Sequence, residues 1–181
     1  MNTVIKGSDL TIGIDIGGTK ISAGVVDSSG NIIDSSRIST PTEGGKELIL
    51  AVINLIKELK EKHEIKGIGI SIAALISSDY GTIVGAPNIA NLSKLNFVNE
   101  IKAEFKLPIV VENDANSAMW AEFKFGNAHG LNPVIFFIIG TGMGGGLVID
   151  GKLFRGANGI GAEFGHMIVE RDGVLCGCGS H

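Results

Sequence analysis

The chain has 181 residues, of which 44% are hydrophobic, with a formal net charge of −4 at pH 7 and a pI near 5.5. This length and apolar content support a proper buried core and exclude a chain too polar to fold, while fifteen Lys and Arg scattered through an acidic sequence lack the clustered positive charge of a nucleic-acid binder. No run reaches the roughly eighteen apolar residues of a membrane span, and Met1 to Gly7 lacks a signal-peptide core, so the expectation is a cytoplasmic protein with no nucleic-acid and no membrane partner.

Residues 10–16, 21–26 and 32–38 are short runs rich in β-branched side chains. Gly17-Gly18 and Asp27-Ser28-Ser29-Gly30-Asn31 separate them, which predicts a three-stranded antiparallel meander. Over residues 43–62, Leu48, Ile49, Val52, Ile53, Ile56 and Leu59 recur on one face of a 3.6-residue period, with Lys57, Lys60 and Glu61 opposite. That pattern predicts an amphipathic helix. A buried strand is expected at 68–72, a polar irregular stretch at 77–91, a helix at 97–105 and a strand at 109–111.

A further helix, 115–125, starts directly after Asn113-Asp114, and the apolar run Val134–Ile139 opens a second glycine loop. The order of strands and helices predicts an α/β domain with a mixed sheet and helices packed on it. Residues 1–113 make one complete domain on this reading. Residues 114–181 begin a second, incomplete one with a Gly-rich tail.

The glycine loops carry the first chemical signal. Asp15-Ile16-Gly17-Gly18-Thr19-Lys20 and Gly140-Thr141-Gly142-Met143-Gly144-Gly145-Gly146 each follow an apolar run and precede another. Without Cβ atoms, such segments let backbone N–H groups converge on phosphate oxygens, and Thr19 and Thr141 add hydroxyls. Asp15, at the end of a strand, is placed to hold Mg²⁺ through water. Neither loop matches the single-loop nucleotide signatures. Gly-Gly between apolar runs is also a hairpin signal, and both readings stay open for each loop taken singly. Lys20 is either a phosphate partner or a surface charge at the start of a strand.

Asp114 follows a strand and opens a helix, so the same residue suits a helix cap or a general base. The two roles compete for its oxygens, which leaves the cap to Asn113 or a neighbour. Cys176 and Cys178 are the only cysteines. One intervening residue is poor geometry for a mutual disulfide, and the pair looks more like ligands than a staple.

Taken together, these segments resemble the ROK family of sugar kinases, repressors and unassigned frames. The resemblance covers nearly the whole chain and rests on Asp15 to Lys20, Ala86-Pro87-Asn88, Glu112-Asn113-Asp114-Ala115-Asn116, Gly140 to Gly146, and Gly161-Ala162-Glu163-Phe164-Gly165-His166 followed by Cys176-Gly177-Cys178-Gly179. It implies an actin-like, ribonuclease-H-like kinase of two similar domains that closes over a hexose and ATP with Mg²⁺. The expected activity is that of a glucokinase-like hexokinase acting on the 6-hydroxyl, with Asp114 as general base.

The resemblance further implies hexose contacts at Asn88, Asn113, Glu163 and His166. Phosphate and metal contacts are implied at Asp15, Gly17, Gly18, Thr19, Lys20, Gly140, Thr141 and Gly142. His166, Cys176 and Cys178 are implied to hold a structural Zn²⁺ whose fourth ligand would fall beyond Gly179, and a homodimer is implied as the assembly. A third phosphate loop and the adenine pocket would lie past His181, so these 181 residues alone are expected to turn over poorly or not at all.

One departure stands out. Ser71-Ile72-Ala73-Ala74-Leu75-Ile76 replaces the family's Pro-Gly-Pro-like turn, which bears on which hexose is preferred. Two other readings accompany the kinase. A sugar-responsive transcription regulator would need a helix-turn-helix ahead of a sheet that already begins at Leu10. A sugar-binding domain without catalysis would have no use for Asp114.

Overall fold

A computed structural model of the chain describes residues 9–77, 79, 82–92, 96–140, 142–176 and 178–181. β1 (Leu10–Ile16), β2 (Lys20–Val26) and β3 (Ile32–Ser39) form the expected antiparallel meander, with Ile14 opposite Ala23 and Ala23 opposite Ser36. Alternation decides which side chains turn inward: Ile12, Ile14 and Ile16 of β1 and Ile21, Ala23 and Val25 of β2 all point to one buried face.

α1 (Gly45–Lys62) crosses back over that face, and β4 (Ile65–Ile72) then pairs parallel to β1. β5 (Leu75–Ile76) and β6 (Ile83–Gly85) make a small separate hairpin. α2 (Phe97–Glu104) leads to β7 (Ile109–Asn113), parallel to β4, giving a five-stranded sheet in the order β3-β2-β1-β4-β7.

Local details depart from expectation for identifiable reasons. α1 starts at Gly45 because Gly44 and Gly45 both take positive φ and the Gly45 N–H donates to the Ala90 carbonyl at 3.1 Å. Its buried stripe includes Leu55, while Ile53 is only half-buried. β4 begins at Ile65, three residues early, because Ile65 is buried and paired with Leu10 ahead of the regular register. The stretch expected to be irregular contains β6, too short to show a period.

Leu48, Val52, Ile56 and Leu59 of α1 and Phe97, Val98 and Ile101 of α2 fill the space above Ile68, Ile70 and Ile72. Each such side chain contributes about 1.5–3 kcal/mol through burial, and this cluster runs in sequence as far as Val111. After β7 come α3 (Asp114–Phe125), β8 (Val134–Ile139), β9 (Met143–Ile149) and β10 (Lys152–Leu153), the strands ordered β10-β9-β8. Met119, Ala128, Val148 and Leu153 form a second, smaller cluster under α3. A 3-10 turn, Phe164–His166, lies against β9. Among the described residues no helix is long and apolar enough to cross a membrane.

The first sheet's other face, carrying Gly13, Gly24, Gly69, Ser22 and Ser71, borders a cavity of about 960 Å³ together with Trp120 of α3.

The C-terminal end of α1 is tied to β3 by one polar contact, with His63 Nε2 2.9 Å from Asp34 Oδ2. The hydrogen bond to His63 is the main reason that the Asp34 carboxyl titrates below its ordinary range. A carboxylate depressed on folding stabilises above its unfolded pKa, and the contribution disappears as pH falls through the folded one. Wild type is therefore expected to exceed His63→Leu in stability at pH 7, with the gap narrowing as pH falls below about 4, as read from urea melts at pH 7 and pH 3.

Candidate active site

The three parallel strands end side by side, the position at which open α/β sheets present ligand-binding groups. Asp15 on β1 is in register with Ser71 on β4, which is in register with Glu112 on β7. The Ser71 hydroxyl donates to Asp15 Oδ1 at 3.1 Å. The chain then turns at Asn113 and Asp114 into α3.

At that turn the cap falls to Asn113. Its Oδ1 accepts from the Asn116 N–H at 3.1 Å, and its Nδ2 donates to the Ala74 carbonyl at 3.2 Å and to Asp114 Oδ1 at 2.9 Å. Asp114 Oδ1 also accepts from the Ala115 N–H at 3.0 Å. Asp114 is thus held in place without serving as the cap, which resolves the competition for its oxygens. Burial pushes its pKa up, and the nearby Asp15 carboxylate adds to the rise against the opposing hydrogen bonds.

The first glycine loop is a β1–β2 hairpin turn in which the Gly17 N–H donates to the Lys20 carbonyl at 3.0 Å. Thr40 clamps it, with its N–H on the Thr19 carbonyl at 3.0 Å and its hydroxyl on the Gly17 carbonyl at 2.7 Å. A Cβ on Gly18 would lie 2.8 Å from the Asn88 carbonyl oxygen, so only glycine lets the Asn88 segment close against this loop. Lys20 is the exposed first residue of β2, opposite Ser39.

The second loop joins β8 to β9 as another hairpin, with the Gly140 N–H on the Gly142 carbonyl at 2.9 Å. Thr141, expected to supply a hydroxyl there, lies outside the described residues. Both loops are thus hairpin turns, the alternative left open for each, with the Gly17 and Gly140 N–H groups engaged inside the turn.

The departure at Ser71–Ile76 also has a local account. The Ala73 N–H donates to the Ile16 carbonyl at 3.1 Å and the Ala74 N–H to the Ile72 carbonyl at 2.7 Å. Proline would remove either bond, and Ala74 presents its own carbonyl to the Asn113 amide.

Glu163 precedes the 3-10 turn that ends in His166. Burial raises the Glu163 pKa, His166 opposes the rise, and the Asp114 carboxylate adds to it. Asp114 therefore lies within charge reach of Asp15 on one side and of Glu163 on the other, three parts of the chain far apart in sequence.

His166, Cys176 and Cys178 also come together, their ligand atoms all within 4.8 Å of one another. The Cys176 Sγ to His166 Nδ1 separation is 3.7 Å. Bond lengths of about 2.3 Å to sulfur and 2.0–2.1 Å to nitrogen at a tetrahedral ion require a similar spacing, so the donor set fits zinc. Hydrogen bonds from the Cys178 backbone and side chain are the chief reasons that the Cys176 thiol titrates low, which favours the ligating thiolate. His181 places Nδ1 2.9 Å from the Gly173 carbonyl oxygen.

Two residues of this site received no role from sequence reasoning. Glu112 Oε1 accepts from the Asn113 N–H at 3.0 Å and from Asn116 Nδ2 at 3.1 Å, and Arg155 Nε donates to Glu112 Oε2 at 2.6 Å. Glu112 was visible as the first residue of a motif. Its partner Arg155 is 43 residues away, with no local pattern to mark it.

Comparison with known proteins gives a consistent result. A profile described as the ROK family matches residues 11–181. The glucokinase of Streptomyces coelicolor is 46% identical over 171 residues, covering 94% of this chain and 53% of that protein. An N-acetylmannosamine kinase of Yersinia pestis is 34% identical over 169 residues, covering 93% of this chain and 57% of that one. The crystal structure of a ROK family glucokinase from Streptomyces griseus, in complex with glucose and AMPPNP, superposes with a TM-score of 0.85 at 43% identity. That match covers 94% of this chain and 54% of the other. The chain thus spans about half the length of the relatives it matches.

Proposed function

Because the chain belongs to the ROK family and carries its actin-like ATPase fold, we propose that it acts in ATP-dependent phosphorylation of a hexose, glucose or a near relative, at the 6-hydroxyl. The observation that carries this reading is Asp114, anchored where β7 meets α3, relieved of capping by Asn113 and raised in pKa beside Asp15. A base with a raised pKa accepts a hydroxyl proton more readily than an ordinary aspartate. Asn88, Asn113, Glu163 and His166 supply the amide, carboxylate and imidazole groups that fix a hexose ring.

Gly17, Gly18, Thr19, Lys20, Gly140, Thr141 and Gly142 receive the phosphates, and Asp15 holds Mg²⁺ through water. When bound, the cation neutralises charge on the transferring phosphoryl group. Asp114 keeps its carboxylate beside the attacking hydroxyl. Residues 1–113 and 114–181 belong to two lobes on this reading, meeting at the Asn113–Asp114 turn. The enzyme is cytoplasmic and assembles as a homodimer, which light scattering would test.

The experiment is a coupled ADP-release assay on the intact gene product with glucose, fructose and N-acetylmannosamine. Turnover of one hexose supports the reading. The absence of both turnover and hexose binding overturns it.

Zinc on His166, Cys176 and Cys178 shapes the segment that carries Glu163. One zinc per chain is expected by elemental analysis, falling at least tenfold in the Cys176→Ser, Cys178→Ser double variant. An unchanged zinc content in that variant would exclude these ligands.

A further inference from the structure

The pair formed by Glu112 and Arg155 joins two parts of the site that share no secondary structure. Glu112 is in β7 and braces the turn that presents Asp114, through the Asn113 N–H and Asn116 Nδ2. Arg155, two residues past the end of β10, is near the start of the loop that runs to Glu163 and His166. The two side chains are 12% and 29% exposed, too sheltered to be an ordinary surface pair.

The Arg155 backbone is fixed as firmly as its side chain. The Gly161 N–H donates to the Arg155 carbonyl at 2.8 Å, and a Cβ on Gly161 would lie 2.8 Å from the Arg155 carbonyl carbon. Only glycine permits that closure, and it folds residues 156–160 into a loop hinged on Arg155. Ala162 follows with φ at +68°, a strained conformation for alanine. The Phe164 N–H donates to the Ala162 carbonyl at 2.8 Å, so the strain is held immediately beside Glu163. The backbone that leads to Glu163 is therefore tied to Arg155 through Gly161, and the Arg155 side chain is tied to Glu112.

We infer that the Glu112–Arg155 ion pair is a positioning device that holds the hexose-contacting loop in register with the Asn113–Asp114 turn. Neither residue touches the reacting atoms. Glu112 divides its two oxygens between the sides: Oε1 serves the base-bearing turn and Oε2 serves the loop. Breaking the Arg155 half leaves the Oε1 contacts in place, so the loop is released while the base stays set. The consequence falls on hexose affinity more than on the phosphoryl-transfer step.

This inference rests on the hexose-kinase reading, and the test separates the two. On the intact gene product, Arg155→Met is expected to raise KM for glucose about tenfold or more while kcat falls less than threefold. Arg155→Lys, which keeps the charge but not the planar guanidinium, is expected to recover part of the loss. In Glu112→Gln the further Arg155→Met substitution is expected to change KM much less than it does in wild type.

A merely structural pair would lower thermal stability in all these variants without separating KM from kcat. Wild-type turnover with an unchanged KM in Arg155→Met, or equal KM effects of that substitution in both backgrounds, overturns the inference and leaves the kinase reading intact. Absence of both hexose turnover and hexose binding in wild type overturns the kinase reading and the inference with it.

Discussion

In the intact gene product, and on the proposed kinase reading, replacement of Asp114 by alanine is expected to lower kcat for hexose phosphorylation by about a thousandfold, the scale of a lost general base. The circular dichroism spectrum is expected to stay unchanged, because the helix cap is made by Asn113 rather than by Asp114. Turnover within a few-fold of wild type would remove Asp114 from the mechanism. In wild type the raised pKa places the acid limb of the kcat/KM profile above the usual carboxylate range, with activity lost as pH falls through it.

The same shift makes a second, opposite expectation about stability. A carboxyl whose folded pKa exceeds its unfolded value stabilises fully below the unfolded pKa, and that contribution is lost as pH rises through the folded one. At neutral pH the ionised, partly desolvated Asp114 therefore weakens the fold. Asp114→Asn is expected to be inactive and yet more resistant to urea than wild type at pH 7, with the two converging near pH 3. Greater urea sensitivity of Asp114→Asn at pH 7 would mean that its hydrogen bonds to Asn113 and Ala115 outweigh the desolvation of the charge.

Glu112→Ala is expected to be the most destabilising change in the site, at about 3 kcal/mol, since it strands a sheltered guanidinium. It also deprives the Asn113 N–H and Asn116 Nδ2 of their Glu112 acceptor. In urea denaturation this corresponds to a midpoint lowered by roughly 1–2 M. Glu112→Gln, which retains an acceptor oxygen and loses the charge, is expected to cost about half as much. A loss below about 0.5 kcal/mol for Glu112→Ala would mean that solvent screens the pair as it does on an open surface.

The contrast between Glu112 and Asp114 also shows how unevenly the site could be read in advance. Asp114 stands at a strand-to-helix junction beside an asparagine, a local arrangement that already posed the choice between cap and base. That Asn113 and not Asp114 makes the cap came from the Asn113 amide, whose Oδ1 accepts from the Asn116 N–H while its Nδ2 reaches both Asp114 and Ala74, 39 residues from Asn113. Glu112 had no visible role because its partner is separated from it by β8, β9 and β10. Gly18 was legible as a turn glycine, but its closeness to the Asn88 carbonyl was not.

Among the elements, β1 to β3 and α1 were readable because alternation and helical period leave a repeated mark over seven or more residues. β5 and β6, with two and three residues, leave none. The exchange of Ile53 for Leu55 in the buried stripe follows from where the sheet meets the helix, which the helix's own sequence does not encode.

The α/β order, the two glycine turns, the Asn113–Asp114 junction and the Cys176/Cys178 pair were legible because each is written in neighbouring residues whose backbone or ligand chemistry is local, whereas His166 joined the pair only through the family resemblance. Folding was needed to bring Asp114 close to the carboxylates of Asp15 and Glu163, and to let Glu112 and Arg155 tie the turn to the loop. Parallel strand pairing and the docking of the 3-10 turn on β9 bring those groups together across as many as 148 positions of chain, from Asp15 to Glu163. Charge interaction and hydrogen bonding depend on distance in space, and no spacing along the chain records it.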